Sequence, residues 1–296
     1  MITLAHISDI HLSPMPEVAL RDLLGKRLTG FLNWKLKRHG ELNSETLARL
    51  VAHMQGQNAD FTAVTGDMTN LALDSEVARA GDWLRALGSP ERVAVCPGNH
   101  DAYVPGALET AQKNWGDYLK GETLDSAAFP FVRRVGELAI ISCSSAVPTR
   151  PFLAIGRFDE KQADRLGRIL KAMGDAGYFR TVLIHHPPNA ELQHPSFGLK
   201  GHKLFRQVIA DHGAELILHG HTHRSSIHSI PGKNHEVPVV GVAAASAAQG
   251  GTLDDPARYN LFRIEKSGEG WTCTMREYGF QRLGSDIVMR LQMRIY

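Results

Sequence analysis

The chain has 296 residues, 43% of them hydrophobic and 22% charged, and a formal net charge of +2. That balance is ordinary for a globular protein, and so weak a charge does not argue for a general nucleic-acid binder, so no nucleic-acid polymer is expected as a partner. The three cysteines, Cys96, Cys143 and Cys273, form no CxxC pair, which argues against a disulfide framework and for a reducing compartment. No apolar run approaches the ~18 residues that span a bilayer. The opening residues, MITLAHISDIH, lack a basic leader and a cleavage site, so a cytoplasmic location is expected.

Ile2–Ser8 reads as a short apolar strand, broken off by Pro14 and Pro16. Glu17–His39 is basic and helix-prone, with interruptions at Gly25 and Gly30. Asn43 or Ser44 can cap a helix reaching about Gln57, whose Leu47, Leu50, Val51 and Met54 share a face. Strands follow at Phe61–Thr65 and Arg92–Cys96, with helices at Ser75–Leu87 and Gly106–Leu119. Phe131–Val135 and Leu138–Ser142 flank Gly136-Glu137, the pattern of a hairpin. Asp159–Met173 is an amphipathic helix, Thr181–Ile184 a strand, Gly201–His212 a helix and Glu215–Leu218 a strand. Four more strands are expected at Ser226–Ile230, Val237–Val242, Tyr259–Glu265 and Trp271–Tyr278. Strands alternating with helices and then ending in strands predict one α/β domain over residues 1–296, with a layered core.

Five polar motifs each follow an apolar strand: Asp9-Ile10-His11, Gly66-Asp67, Gly98-Asn99-His100-Asp101, His185-His186-Pro187 and Gly220-His221-Thr222-His223. The carboxyl ends of neighbouring strands lie together at one sheet edge, so the motifs are expected to converge. Asp9/His11 and His221/His223 are i, i+2 pairs, which in extended chain point the same way. Gly66, Gly98 and Gly220 let the backbone turn sharply beside them. Carboxylate, imidazole and amide donors suit Mn²⁺, Fe or Zn²⁺ rather than a thiolate-seeking metal.

The order of these motifs resembles that of the calcineurin-like metallophosphoesterases, over about residues 2–265. The resemblance implies an α/β fold: a four-layer α/β/β/α sandwich of two mixed sheets flanked by helices. It implies two divalent metal ions, the first held by Asp9, His11, Asp67 and His223. Asp67 would bridge to the second, which Asn99, His185 and His221 complete. In the family the ligand lies two residues before the proline, which selects His185 over His186. His100 would be the catalytic histidine. Asp101 either orients His100 or caps the following helix. The implied reaction is in-line attack on phosphorus by a hydroxide shared between metals ~3.5–4 Å apart.

The stretch after Asp67 lacks the Asp-Arg pair of protein-phosphatase members, and Gly156–Leu166 resembles the bacterial phosphodiesterase branch. A phosphodiester is therefore the expected substrate, with Tyr103, Arg150, Phe152 and Arg157 as contacts to it. Residues 17–40 carry basic residues among Leu, Phe and Trp just past two of the ligands, so the segment is expected to overhang the site. That is the composition of a membrane-surface helix, with Phe31, Trp34, Lys35, Lys37 and Arg38 as contacts. Arg27, Lys35 and Arg38 fall among the apolar positions, so their stems would have to snorkel. A packed flap or an oligomer contact is the alternative. The segment resembles that of bacterial family members of phospholipase-C type, for which phosphatidylcholine would yield diacylglycerol and phosphocholine. A soluble cyclic-nucleotide phosphodiesterase is the rival reading, and a non-catalytic metal-binding scaffold a further one. The tail Asp286–Tyr296 alternates apolar and basic residues and fits an added strand, a dimer element or a second membrane contact.

Overall fold

A computed structural model describes residues 1–23, 25–36, 42–248, 255–268, 270–281 and 286–296. Strand β1 (Ile2–Ile7) is followed by helices α1 (Lys26–Leu36) and α2 (Ser44–Gln55), and then by β2 (Phe61–Val64), α3 (Asp74–Leu87) and β3 (Val93–Val95). Helix α4 (Ala107–Trp115) leads to the hairpin of β4 (Phe131–Val135) and β5 (Leu138–Ser142), and then to β6 (Gly156–Arg157). Next come α5 (Glu160–Asp175), β7 (Phe179–Leu183), β8 (Leu199–Lys200), α6 (His202–His212) and β9 (Leu216–His219). Strands β10 (Ser226–Pro231), β11 (Glu236–Gly241), β12 (Arg258–Ser267), β13 (Gly270–Phe280) and β14 (Ile287–Arg294) complete the order.

The strands form two mixed six-stranded sheets, ordered β14-β13-β12-β1-β2-β3 and β10-β11-β9-β7-β5-β4. Side chains alternate across a strand, and β5 shows what this achieves. Leu138 and Ile140 join the large core shared with the first sheet, whereas Ala139 and Ile141 join the core under α5 and α6. Helices α2, α3 and α4 pack their apolar residues into the large core from the first sheet's side. The result is the expected α/β/β/α sandwich. Strands β1, β2 and β3 are parallel neighbours in one sheet, and β5, β7, β9 and β11 in the other, so their carboxyl ends share one edge.

Several local details differ from expectation. Gly106–Leu119 is two elements, because Gly116 at φ 55° ends α4 and a 3-10 turn follows. Gly30 does not interrupt α1; it lies within the helix. Strands β6 and β8 pair over two residues each, too short for any periodicity to reveal. The C-terminal tail forms β14, an added strand at the sheet edge. Among the described residues no helix is long and apolar enough to cross a membrane.

Candidate metal centre

The seven residues expected as ligands come together where the two sheets meet. Asp9 and His11 follow β1, Asp67 follows β2 and Asn99 follows β3, all from the first sheet. His185 follows β7, and His221 and His223 follow β9, from the second. Backbone bonds hold the loops in line: Asp9 N–H donates to Gly66 O at 3.0 Å, His11 N–H to Asp67 O at 2.9 Å and Gly220 N–H to His185 O at 3.1 Å. His221 N–H donates to Asp9 Oδ2 at 3.0 Å, joining the two sheets at the site.

The side-chain donors cluster tightly. His223 Nε2 lies 3.3 Å and His11 Nε2 4.0 Å from Asp9 Oδ1. Asp67 Oδ2 lies 3.9 Å from His11 Nε2 and 3.3 Å from His185 Nε2, so it stands between the two groups of donors. Asn99 Oδ1 is 3.2 Å from His185 Nε2. The far ring nitrogens are fixed by backbone carbonyls: His11 Nδ1 by Thr69 O at 3.0 Å, His185 Nδ1 by Thr65 O at 2.6 Å and His221 Nε2 by Phe197 O at 2.8 Å. Such bonds select the tautomer and leave the opposite nitrogen as the ligand atom, Nε2 for His11 and His185 and Nδ1 for His221. His186 has both nitrogens engaged elsewhere, with Ser145 Oγ at 2.7 Å and Ala154 O at 3.0 Å.

The loops that carry these groups are not extended chain. Asp9, His11, Asp67, His221 and His223 have φ of 52°, 39°, 53°, 69° and 55°. Left-handed backbone is costly for residues with a Cβ and gathers at functional sites. The i, i+2 partners therefore converge through left-handed turns, not through strand alternation. The glycines also act differently from expectation. Only Gly66 has a positive φ, at 94°. Gly98 and Gly220 are needed for close approach: a Cβ on Gly98 would land on the Asp67 carboxylate, and one on Gly220 would land on Ser8 and Asp9.

The charges of the cluster answer one another. Burial opposes ionisation of Asp67, but His185, His100 and His11 outweigh it and hold the carboxyl well below its usual range. Burial would likewise push the His185 imidazole down, yet Asp67 outweighs it and lifts His185 to about 9. His221 goes the other way, to about 3, through burial and the neighbouring His185. The carboxylates thus draw positive charge between them. Asp9 Oδ1 is buried and accepts no hydrogen bond among the described residues. A buried, unsatisfied carboxylate oxygen among imidazoles fits a divalent cation. Two donor groups, Asp9–His11–His223 and Asp67–His185–His221, each have their ligand atoms within 4.8 Å of one another, and a third, His11–Asp67–His100, links them; the arrangement accommodates two ions.

His100 borders this cluster. Its backbone N–H donates to Asp67 Oδ1 at 2.7 Å and its ring Nδ1 meets Asn70 O at 2.5 Å. Asp101 serves neither purpose expected of it. Its Oδ2 accepts from the N–H groups of Asp67 and Gly98, both at 2.9 Å. Its Oδ1 accepts from the N–H groups of Met68 and Thr69, at 2.9 and 3.1 Å, and from Thr69 Oγ1 at 3.3 Å. The carboxylate clasps the Asp67 turn, and the cap of α4 is Gly106. Burial and Asp67 push the Asp101 carboxyl up, to about 7, against these amides, which favour the anion.

A cavity of about 310 Å³ opens beside His100 and Asn99, lined also by Asn70, Tyr103, Phe152 and Leu153. Its roof is α1, through Lys26, Thr29, Gly30, Asn33 and Trp34. Tyr103 stacks on His100 with ring centroids 5.4 Å apart, and Gly30 brings α1 against Tyr103 so closely that a Cβ would lie 2.8 Å from Tyr103 Cζ. Arg150 and Arg157, expected as substrate contacts beside Tyr103 and Phe152, line a neighbouring groove instead. Phe31 and Trp34, expected at a membrane surface, are turned inward: Phe31 packs on the cluster containing Leu71 and Tyr103, and Trp34 lines the cavity. Lys35 is exposed, and Lys37 and Arg38 lie outside the described residues. The outward face of α1 carries Leu28, Leu32 and Leu36, exposed by 47%, 50% and 81%. Lys26, Asn70 and the carbonyls behind the ligands were missed in sequence; only the proximity of Lys26 to the ligand motifs hinted at its place.

The mixed α/β sandwich carries, at the shared carboxyl edge of its sheets, a His/Asp cluster able to hold metal ions. The chain belongs to the calcineurin-like phosphoesterase family, whose model matches residues 2–225. It is 26% identical over 229 residues to a probable cyclic nucleotide phosphodiesterase of Synechococcus sp., covering 76% of this chain and 75% of that one. Its fold is similar to a dimetal phosphatase from Danio rerio, with a TM-score of 0.62 at 13% identity over 98% of this chain and 99% of that one. A purple acid phosphatase of yellow lupin is similar too, with a TM-score of 0.53 at 10% identity, over 99% of this chain and 53% of that one.

Proposed function

We propose that the protein hydrolyses a phosphodiester with two divalent metal ions, and that the diester is a phospholipid headgroup at a membrane surface. Asp9, His11, Asp67 and His223 would hold one ion, and Asp67, Asn99, His185 and His221 the other. The ions, when bound, supply Lewis-acid polarisation of the phosphoryl group and an activated water. The chain's own residues do the rest. His100, with Nδ1 held by Asn70 O, presents its other nitrogen as a hydrogen-bond donor or acid for the leaving oxygen. Tyr103 braces that ring from behind, and α1 limits water entry from above. Asp101 fixes the turn that aims Asp67.

The observation that carries the lipid reading is the stripe Leu28, Leu32 and Leu36, exposed on the outer side of the helix that roofs the cavity. Phe152, 87% exposed, stands at the same rim. Residues spaced by four share a helix face, so the stripe is continuous. Full burial of an exposed leucine contributes about 1.5–3 kcal/mol, so acyl chains covering Leu28 and Leu32 would add about half of that each, and Leu36 most of it. The relative in Synechococcus sp., a probable cyclic nucleotide phosphodiesterase, keeps a cyclic nucleotide as the rival substrate. Hydrolysis of liposomal phosphatidylcholine and of cyclic AMP by the metal-loaded protein decides between them. Release of phosphocholine from liposomes with little turnover of cyclic AMP is expected. Turnover of cyclic AMP without binding to liposomes would end the lipid reading.

A further inference from the structure

Lys26 is the first residue of α1 and lines the cavity together with Asn99 and His100. Its Nζ donates to Thr149 Oγ1 at 2.6 Å and to Leu153 O at 3.1 Å, and it lies 4.3 Å from the centre of the Tyr103 ring. Among the described residues it forms no ion pair, and both of its hydrogen-bond acceptors are neutral. An ammonium has three N–H donors, and only two are used by these acceptors. A half-buried cation without a counter-ion is costly unless something anionic completes it. Burial pushes this ammonium down to about 8, with the Asp67 charge acting the other way.

We infer that Lys26 is an anion-binding residue of the cavity roof, whose ammonium takes a phosphoryl oxygen of the substrate through its remaining N–H. The cavity supplies the arrangement: His100 and Asn99 on its floor, Lys26 on its roof, and space of about 310 Å³ between. The neutral tethers at Thr149 and Leu153 hold the head in place without quenching its charge, as a carboxylate partner would. The inference rests on the phosphodiester reading, and it is independent of whether the ester is a lipid or a nucleotide, since both offer the same phosphoryl oxygens. It also gives α1 a part in recognition beyond its outer apolar stripe.

The test is calorimetric binding of inorganic phosphate to the metal-loaded protein, with wild type, Lys26→Met, Lys26→Arg and Thr149→Val compared at equal metal content. The expected result is a loss of phosphate affinity of about tenfold or more in Lys26→Met, partial recovery in Lys26→Arg, and a clearly smaller loss in Thr149→Val, which keeps the charge and the Leu153 tether. Charge-assisted hydrogen bonds of this kind contribute about 1.5–3 kcal/mol, which converts to that range of fold-change. Unchanged phosphate affinity in Lys26→Met would overturn the inference. So would equal losses in Lys26→Met and Thr149→Val, which would make Lys26 a tether of α1 only. Because the readout is binding of phosphate, failure of liposome hydrolysis would sink the lipid reading while leaving this result to stand or fall by itself.

Discussion

Asp101 Oδ2 accepts a hydrogen bond of 2.9 Å from the backbone N–H of Asp67, so one buried carboxylate shapes the turn that aims another. Replacement by asparagine would face an amide NH₂ or a single carbonyl oxygen toward donors that all require acceptors. Asp101→Asn should therefore loosen the Asp67 turn and lower turnover by about a hundredfold, the scale of a ~1 Å misplacement. Metal content by mass spectrometry and kcat on a chromogenic phosphodiester check this. Wild-type rates in the variant would show the clasp to be dispensable.

His100 lies close enough to His11 and Asp67 to be counted among metal-binding donors, their ligand atoms all lying within 4.8 Å of one another. In the proposed reaction it acts as the acid. His100→Ala should retain both ions and lose on the order of 10²–10⁴ in rate. An emptied metal centre in the variant would make it a ligand instead.

Gly30 tests the link from α1 to the reacting groups. A Cβ there would lie 2.7 Å from Leu71 Cδ2 and 2.8 Å from Tyr103 Cζ. Gly30→Val should cost about 1–3 kcal/mol in denaturant unfolding, as overpacking does, and should raise KM by lifting the roof from Tyr103. An unchanged KM would separate the helix from the cavity.

The leucine stripe offers a cleaner separation. Leu32 and Leu36 are exposed by 50% and 81%, so their exchange for glutamate leaves the fold intact. The double variant should lose liposome hydrolysis at least tenfold while keeping its rate on a soluble diester. Equal rates on liposomes would remove α1 from any membrane contact.

Much of the site was legible because strands end abruptly in polar motifs. Periodicity located β1, β2, β3, β7 and β9, and the residues just beyond them converge. What the pattern hid was the means. The ligand loops use left-handed backbone at Asp9, His11, Asp67, His221 and His223, which no residue type there announces. Asp101 reads as a helix cap or a histidine partner until the amides of four residues are seen around it. In α1 the composition was informative and the orientation was not: the aromatic residues face inward and the leucines outward. A helix with Lys26, Gly30 and Trp34 on one side and Leu28, Leu32 and Leu36 on another has two useful faces, and only packing assigns them.

The proposed phosphodiester hydrolysis depends on two ions shared across Asp67. The most direct measurement is turnover of bis(p-nitrophenyl) phosphate by chelator-treated protein during stepwise return of Mn²⁺, for wild type and Asp67→Asn. No activity is expected after chelation, with recovery that saturates near two ions per chain, and neither turnover nor two tightly bound ions are expected in Asp67→Asn. Full activity in the chelated protein, or normal turnover with both ions retained in Asp67→Asn, would contradict that dependence.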